Sequence, residues 1–313
     1  MVGRAERVVV LAGLGAVEAD AGPACRALAA KVGGLLATTL PARGLFHEDP
    51  YCIGISGSFT PEAGLALLAE ADCVIAVGSS LNYYAGGGGQ LWPKAKTLHI
   101  DVQPVALNNG QVVSQQQMRA DARLGVEALT AALPARSGLW RSDAIATRIR
   151  TSKPDSHVFE IEPGLLDPRN VAAALEANLP RDWEMVNSSG HCSWFFAQMP
   201  SRPQTRFLAI REFGAIGNGL SFAMGVAAAH PERTVVLFDG DGGLLMNIQE
   251  LETIKRHGMN ILVVIMNDGA YGSEVHKFRS AGLPEAGSVF GYPDLAGIAR
   301  GFGLAGHTFK SLE

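Results

Sequence analysis

The sequence predicts an α/β protein built from two doubly wound, mainly parallel-sheet domains. Three observations carry this: short runs of β-branched and apolar residues that suit strands buried on both faces, glycine-rich turns directly after those runs, and helical segments between them. With 313 residues and a hydrophobic fraction of 47%, the chain can bury two cores. Its net charge of −4 and pI near 6.1 supply no basic surface for nucleic acid or an anionic membrane. No apolar run approaches the ~20 residues that span a bilayer, and MVGRAERVVV has no secretory pattern, so cytoplasmic residence is expected.

The first domain is assigned to residues 1–133. Arg7 to Leu11 reads as a strand, followed by the turn Gly13-Leu14-Gly15 and a helix from Gly22 to Val32. The two glycines begin a dinucleotide-type pattern without its third glycine, so a tight βα turn is the simpler reading. Cys73 to Gly78 and Thr97 to Asp101 read as further strands, with a helix over Pro61 to Ala71. The run Gly86 to Gly89 reads as a surface loop. Residues 134–168, with Pro134, Pro154, Pro163 and Pro168 among polar residues, read as a surface linker, helical around Asp143 to Arg150.

The second domain is assigned to residues 169–313. A helix over Asn170 to Asn178 leads to the strand Trp183 to Asn187, which ends in Ser188-Ser189-Gly190-His191. Hydroxyls and glycine at a strand end suit phosphate oxygens; His191 binds phosphate, faces substrate, or holds the turn. A small-residue helix over Phe222 to Ala229 follows Phe213-Gly214-Ala215-Ile216-Gly217. The strand Thr234 to Phe238 delivers Asp239-Gly240-Asp241-Gly242-Gly243, whose glycines allow close backbone approach to an anion. Met246 to His257 reads as one helix ending at Gly258, and Asn260 to Met266 as a strand delivering Asn267-Asp268-Gly269-Ala270-Tyr271-Gly272. Asp241 and Asp268 would then face one another across adjacent turns, two oxygen ligands suited to Mg²⁺ beside a phosphate cradle. As the alternative, each Asp caps a helix or stabilises a turn. The cysteines Cys25, Cys52, Cys73 and Cys192 lack the close spacing of a zinc or redox motif; Cys192, beside His191, is the one placed to line a pocket.

The block from Gly240-Asp241-Gly242 to Asn267-Asp268 closely resembles the cofactor fingerprint of thiamine diphosphate enzymes, the group of acetolactate synthases, 2-oxo acid decarboxylases and pyruvate oxidases. The resemblance implies that Asp241, Asp268 and the main-chain carbonyl of Ala270 bind Mg²⁺. That family usually has Asn where Asp268 stands, so an oxygen ligand is kept and a negative charge added. Ser189, Gly190, His191, Gly240, Gly242, Gly243, Tyr271 and Gly272 are the expected cofactor contacts. Ile216 would prop a bent thiamine diphosphate and the carbonyl of Gly214 would accept from its aminopyrimidine, making proton removal intramolecular. Glu274 stands where related decarboxylases carry an active-site Glu, and it and His191 are the catalytic candidates; a solvated Glu in a first helical turn is the alternative.

The first domain resembles the family's middle domain, which holds FAD in some members. Gly78-Ser79-Ser80-Leu81-Asn82 is unlike their FAD-binding stretch, so FAD is not the favoured ligand. The implied function is decarboxylation or carboligation of a 2-oxo acid, acetolactate synthase-like, in a homo-oligomer. Full members have a further domain whose glutamate contacts the aminopyrimidine. The sequence begins where the middle domain would begin and stops just after a strand-like His307 to Lys310, so a pyrimidine-binding domain from another chain or a parent protein is expected. The alternatives are a non-catalytic cofactor-binding fragment or subunit, and a nicotinamide-dependent protein using the Gly13 turn, which lacks a ribose-binding acid.

Overall fold

The computed structural model describes residues 1–135, 140–210 and 212–312. The chain forms two compact units, Met1–Val158 with Pro203–Thr205, and Phe159–Arg202 with Arg206–Glu313. In the first, β1 (Val8–Ala12), β2 (Leu35–Thr38), β3 (Cys52–Ile55), β4 (Cys73–Val77), β5 (Lys96–Asp101) and β6 (Gln116–Arg119) form a parallel sheet in the order 3-2-1-4-5-6. The chain winds outwards from β1 to β3 and then returns to the other side, which makes the sheet doubly wound. Every residue of β1 and of β4 is buried. Alternate residues explain this: Val8 and Val10 meet Leu28 and Val126 on one face, while Val9 and Leu11 meet Leu67 and Leu68 on the other.

Two expectations change in this unit. The segment read as a surface linker joins the core: Trp140 is 5% exposed, and Ile145 and Ile149 of helix Asp143–Thr151 pack beside Leu67. Residues 136–139 of that segment lie outside the described residues. The four-glycine run is a packing element rather than a simple loop. Tyr83–Gly86 forms a helical turn capped by Asn82, and a Cβ at Gly86 would come 2.7 Å from the Trp92 ring.

The Gly13 turn is closed on itself. Gly13 N donates to the Val77 carbonyl at 2.8 Å and Gly15 N to that of Gly78 at 2.9 Å. Those two N–H groups are therefore spent on the neighbouring strand end, as a tight βα turn requires and a nucleotide cradle does not.

In the second unit, β7 (Glu184–Asn187), β8 (Phe207–Ala209), β9 (Val235–Gly240) and β10 (Ile261–Met266) form a parallel sheet in the order 8-7-9-10. Helices Gly219–Ala229 and Glu250–His257 cover one face, with Leu220 and Leu251 against Val186 and Leu237. Helix Cys192–Ala197 covers the other, where Phe196 stacks on Phe238 at 4.1 Å. The helix read as Met246 to His257 is instead two pieces. The first starts at Asp241 within the glycine turn, and the break falls at Asn247, whose Nδ2 donates to the Gly217 carbonyl. Gly258 caps the second piece with φ +58°. His307 to Lys310 is irregular rather than a strand; Phe309 is 77% exposed and the segment has no ladder partner among the described residues. No helix among the described residues is long and apolar enough to cross a membrane.

A Cβ at Gly13 would lie 2.3 Å from the Gly78 carbonyl oxygen, so β1 and β4 cannot both keep their places around an alanine. Gly13→Ala should destabilise the first unit by roughly 2–4 kcal/mol in urea unfolding; a change within ~0.5 kcal/mol would show that the turn gives way.

Candidate functional site

β7 and β9 lie side by side, yet the chain leaves β7 towards β8 and β9 towards β10, so a crevice opens at their carboxyl ends. A cleft of about 160 Å³ occupies that place. Ser189, Gly190 and His191 enter it from the end of β7, Gly240, Asp241, Gly242 and Gly243 from the end of β9, and Asp268, Ala270, Tyr271, Gly272 and Glu274 from beyond β10; Ile216 completes the wall. Gly214 is the one predicted residue that does not line the cleft. It has φ +66° and follows Phe213, which also has positive φ and is fully exposed.

The carboxyls dominate the electrostatics. Asp241 is 1% exposed; its Oδ1 accepts from Gly242 N and its Oδ2 from Gly269 N, each at 2.7 Å. Burial pushes its pKa up to about 6, and the charge of Asp268 adds to the rise against the two N–H donors. Asp268 is exposed, and its Oδ1 accepts from Ala270 N at 3.3 Å. Among the described residues no group of three or more His, Cys, Asp and Glu side chains is placed to hold a metal ion. Two carboxylates beside a main-chain carbonyl form an incomplete shell, the kind Mg²⁺ fills with phosphate oxygens and water.

Asp239, a further acid in this crevice, went unassigned in the sequence. It is 1% exposed, and burial raises its pKa to about 6. The Ser188 hydroxyl stands near and pulls the value part-way back, although Ser188 Oγ and Asp239 Oδ2 are both buried without a hydrogen-bond partner among the described residues. The carboxyl fits only because its neighbours lack side chains; a Cβ at Gly219 would lie 2.4 Å from Oδ2 and one at Gly243 2.4 Å from Oδ1. The alternation along β9, which turns Leu237 and Asp239 to the face of helix Gly219–Ala229, was the available signal.

His191 is half-buried and its ring meets that of His276 edge-on at 4.8 Å. Burial lowers its pKa and His276 lowers it further against the pull of Asp268, so the imidazole is neutral at pH 7. Ser189 spends its hydroxyl proton on the Ile210 carbonyl at 2.8 Å, leaving only its lone pairs and N–H for a ligand. Glu274 lies in the first turn of helix Gly272–Ser280, paired with Lys277 at 3.0 Å. Cys192 does line the cleft, and burial above all, then the acids, keeps its thiol protonated.

A model of the thiamine pyrophosphate enzyme central domain matches residues 1–129, and a model of the thiamine pyrophosphate enzyme C-terminal TPP binding domain matches residues 188–313. The chain belongs to the thiamine pyrophosphate enzyme family. Among thiamine pyrophosphate enzymes it is similar to the acetolactate synthase large subunit of Parasynechococcus marenigrum, 28% identical over 98% of this chain and 50% of that protein. The isozyme 1 large subunit of Escherichia coli acetolactate synthase is 28% identical over 97% and 54%. A probable 2-ketoarginine decarboxylase of Pseudomonas aeruginosa is 30% identical over 96% and 53%. The chain spans about half the length of these curated relatives.

Because the folded state holds the protons of Asp239 and Asp241 more tightly than the unfolded chain, these acids add stability below about pH 4, and that stability is lost as the pH rises through about 6. In chelator, the thermal midpoint of this thiamine pyrophosphate enzyme chain should fall over that interval, and Asp241→Asn should flatten the fall. An unchanged slope in the variant would contradict the assignment.

Proposed function

We propose that the cleft binds thiamine diphosphate through Mg²⁺, held by the carboxylates of Asp241 and Asp268 and the carbonyl of Ala270. The observation that carries this is the Asp241–Asp268 pair: two acids meet beside a glycine turn, one of them buried, and a divalent cation offsets both the burial of the Asp241 charge and the repulsion from Asp268 that adds to it. Membership in the thiamine pyrophosphate enzyme family supports the cofactor. Gly190 and Gly240 leave room for phosphate oxygens, and Tyr271 and Gly272 close the side beyond β10. Ile216 lines the cleft on the side of Gly190, where a Cβ would meet it at 3.4 Å, a position from which it supports the cofactor ring. Gly214 acts through its carbonyl alone in this reading.

Bound thiamine diphosphate supplies an electron sink for breaking the bond beside the carbonyl of a 2-oxo acid. His191, neutral in its half-buried place, is poised to donate or accept one hydrogen bond with substrate. Glu274 serves as proton donor once its ion pair with Lys277 opens. The relatives named acetolactate synthase and 2-ketoarginine decarboxylase support a 2-oxo acid as substrate, in carboligation or decarboxylation. Since this chain aligns with about half of each, the activity is proposed to need a pyrimidine-binding domain, from the same polypeptide or another, in a homo-oligomer.

Calorimetric titration with thiamine diphosphate should show binding that depends on Mg²⁺, and Asp241→Ala should weaken it by roughly 100-fold or more. Equal binding with and without Mg²⁺, or equal binding by the variant, would contradict the metal assignment.

A further inference from the structure

The cation-binding turn, Asn267 to Tyr271, is not self-supporting. A strap from Ser288 to Pro293, with little regular structure of its own, lies along it. Tyr271 N donates to the Ser288 carbonyl at 2.8 Å, while Phe290 N and Gly291 N both donate to the Gly269 carbonyl, at 2.9 and 3.0 Å. Ala270 and Val289 face each other as an isolated antiparallel bridge, and Asn267 Nδ2 donates to the Pro293 carbonyl at 3.1 Å. The backbones approach closely enough that a Cβ at Gly269, where φ is +70°, would come 3.0 Å from Gly291 C.

These bonds are selective. They engage the carbonyl of Gly269 and the N–H of Tyr271, on either side of Ala270, and Ala270 N turns to Asp268. No hydrogen bond to the Ala270 carbonyl is formed among the described residues, so that acceptor is left for the cleft that Ala270 lines. The strap gains little from burial: Val289, Phe290 and Tyr292 are 52%, 42% and 61% exposed. Phe290 meets the Tyr271 ring of the turn edge-on at 5.2 Å, above Gly242. Closure of the strap therefore depends chiefly on backbone bonds to the turn, and those bonds form only when the turn has this shape.

We propose that Ser288–Pro293 is a clasp that positions the cation-binding turn: by tying down Gly269 and Tyr271 it presents the Ala270 carbonyl to the cation, so that clasp closure and binding of Mg²⁺ with thiamine diphosphate reinforce each other. This rests on the metal reading given under the proposed function. The coupling is reciprocal: a ligand that favours the closed turn must close the clasp, and a loosened clasp must weaken the ligand by the same factor.

Two glycines of the strap region separate this from a general disturbance. Gly291 has φ +84° with nothing within 4 Å of a Cβ, so Gly291→Ala strains the backbone and touches no side chain. Gly287 is equally open but lacks positive φ, so Gly287→Ala is the matched control. On the full chain, Mg²⁺ titrations in the presence of thiamine diphosphate are read together with amide hydrogen exchange at Tyr271 and Phe290. Gly291→Ala should weaken binding about tenfold and speed exchange at both amides; Gly287→Ala should do neither, and ligand should slow both amides in the wild type. Faster exchange in Gly291→Ala with unchanged affinity, or wild-type exchange indifferent to ligand, would overturn the clasp while leaving the metal reading intact. A wild type with no cation-dependent binding would overturn both.

Discussion

Asp241 and Asp268 stand at the ends of neighbouring parallel strands, where register and turn geometry bring two carboxyls of like charge together and two N–H groups lock one of them in place. Parallel pairing of β9 with β10 is what forces the meeting, because both strands must release their turns on the same side of the sheet. The resulting field accounts for much of the surrounding chemistry. It helps raise the Asp241 pKa, adds to the protonation of Cys192, and pulls upward on His191 against the stronger effect of burial. A crevice so arranged is poorly satisfied alone and well matched to a divalent cation with a phosphorylated ligand.

The glycines set the distances at which these groups meet. Gly219 and Gly243 admit the Asp239 carboxyl, Gly242 admits the Tyr271 ring, and Gly272 lets Asp268 and His191 approach, since a Cβ there would lie 2.5 Å from Asp268 Oδ2 and 3.0 Å from His191 Nδ1. Side-chain volume at these places would separate the acids from the backbone donors that hold them. The clasp adds a second layer of the same logic, with backbone rather than side chains doing the positioning.

Much of this arrangement was legible in the sequence because buried parallel strands are written as apolar runs and their turns as glycine and aspartate. The runs at Val8, Cys73, Val235 and Ile261 and the two aspartate turns stood out for that reason. β2, β3, β6 and β8 did not: Leu35–Thr38 and Cys52–Ile55 are only four residues long, Phe207–Ala209 is three residues long and partly exposed, and Gln116–Arg119 is a mostly polar edge strand. Asp239 escaped notice because Asp-Gly-Asp reads as a single turn, whereas its first acid still belongs to β9, set against Gly219 and Gly243, and its second opens the helix that follows. His276 and the strap were equally hidden, since the ring contact with His191 and the bonds from Ser288 and Phe290 depend on where a loop folds back. The break at Asn247 arises from a side-chain bond to Gly217, a long-range contact that helical spacing cannot reveal.

The most direct measurement is anomalous diffraction from crystals grown with thiamine diphosphate and Mn²⁺ in place of Mg²⁺. One ion bound between Asp241, Asp268 and the Ala270 carbonyl, at oxygen distances of about 2.1 to 2.2 Å with its remaining positions taken by diphosphate oxygens and water, is the predicted result. Cofactor seated in the cleft with no ion at these residues, or an ion bound elsewhere, would contradict it.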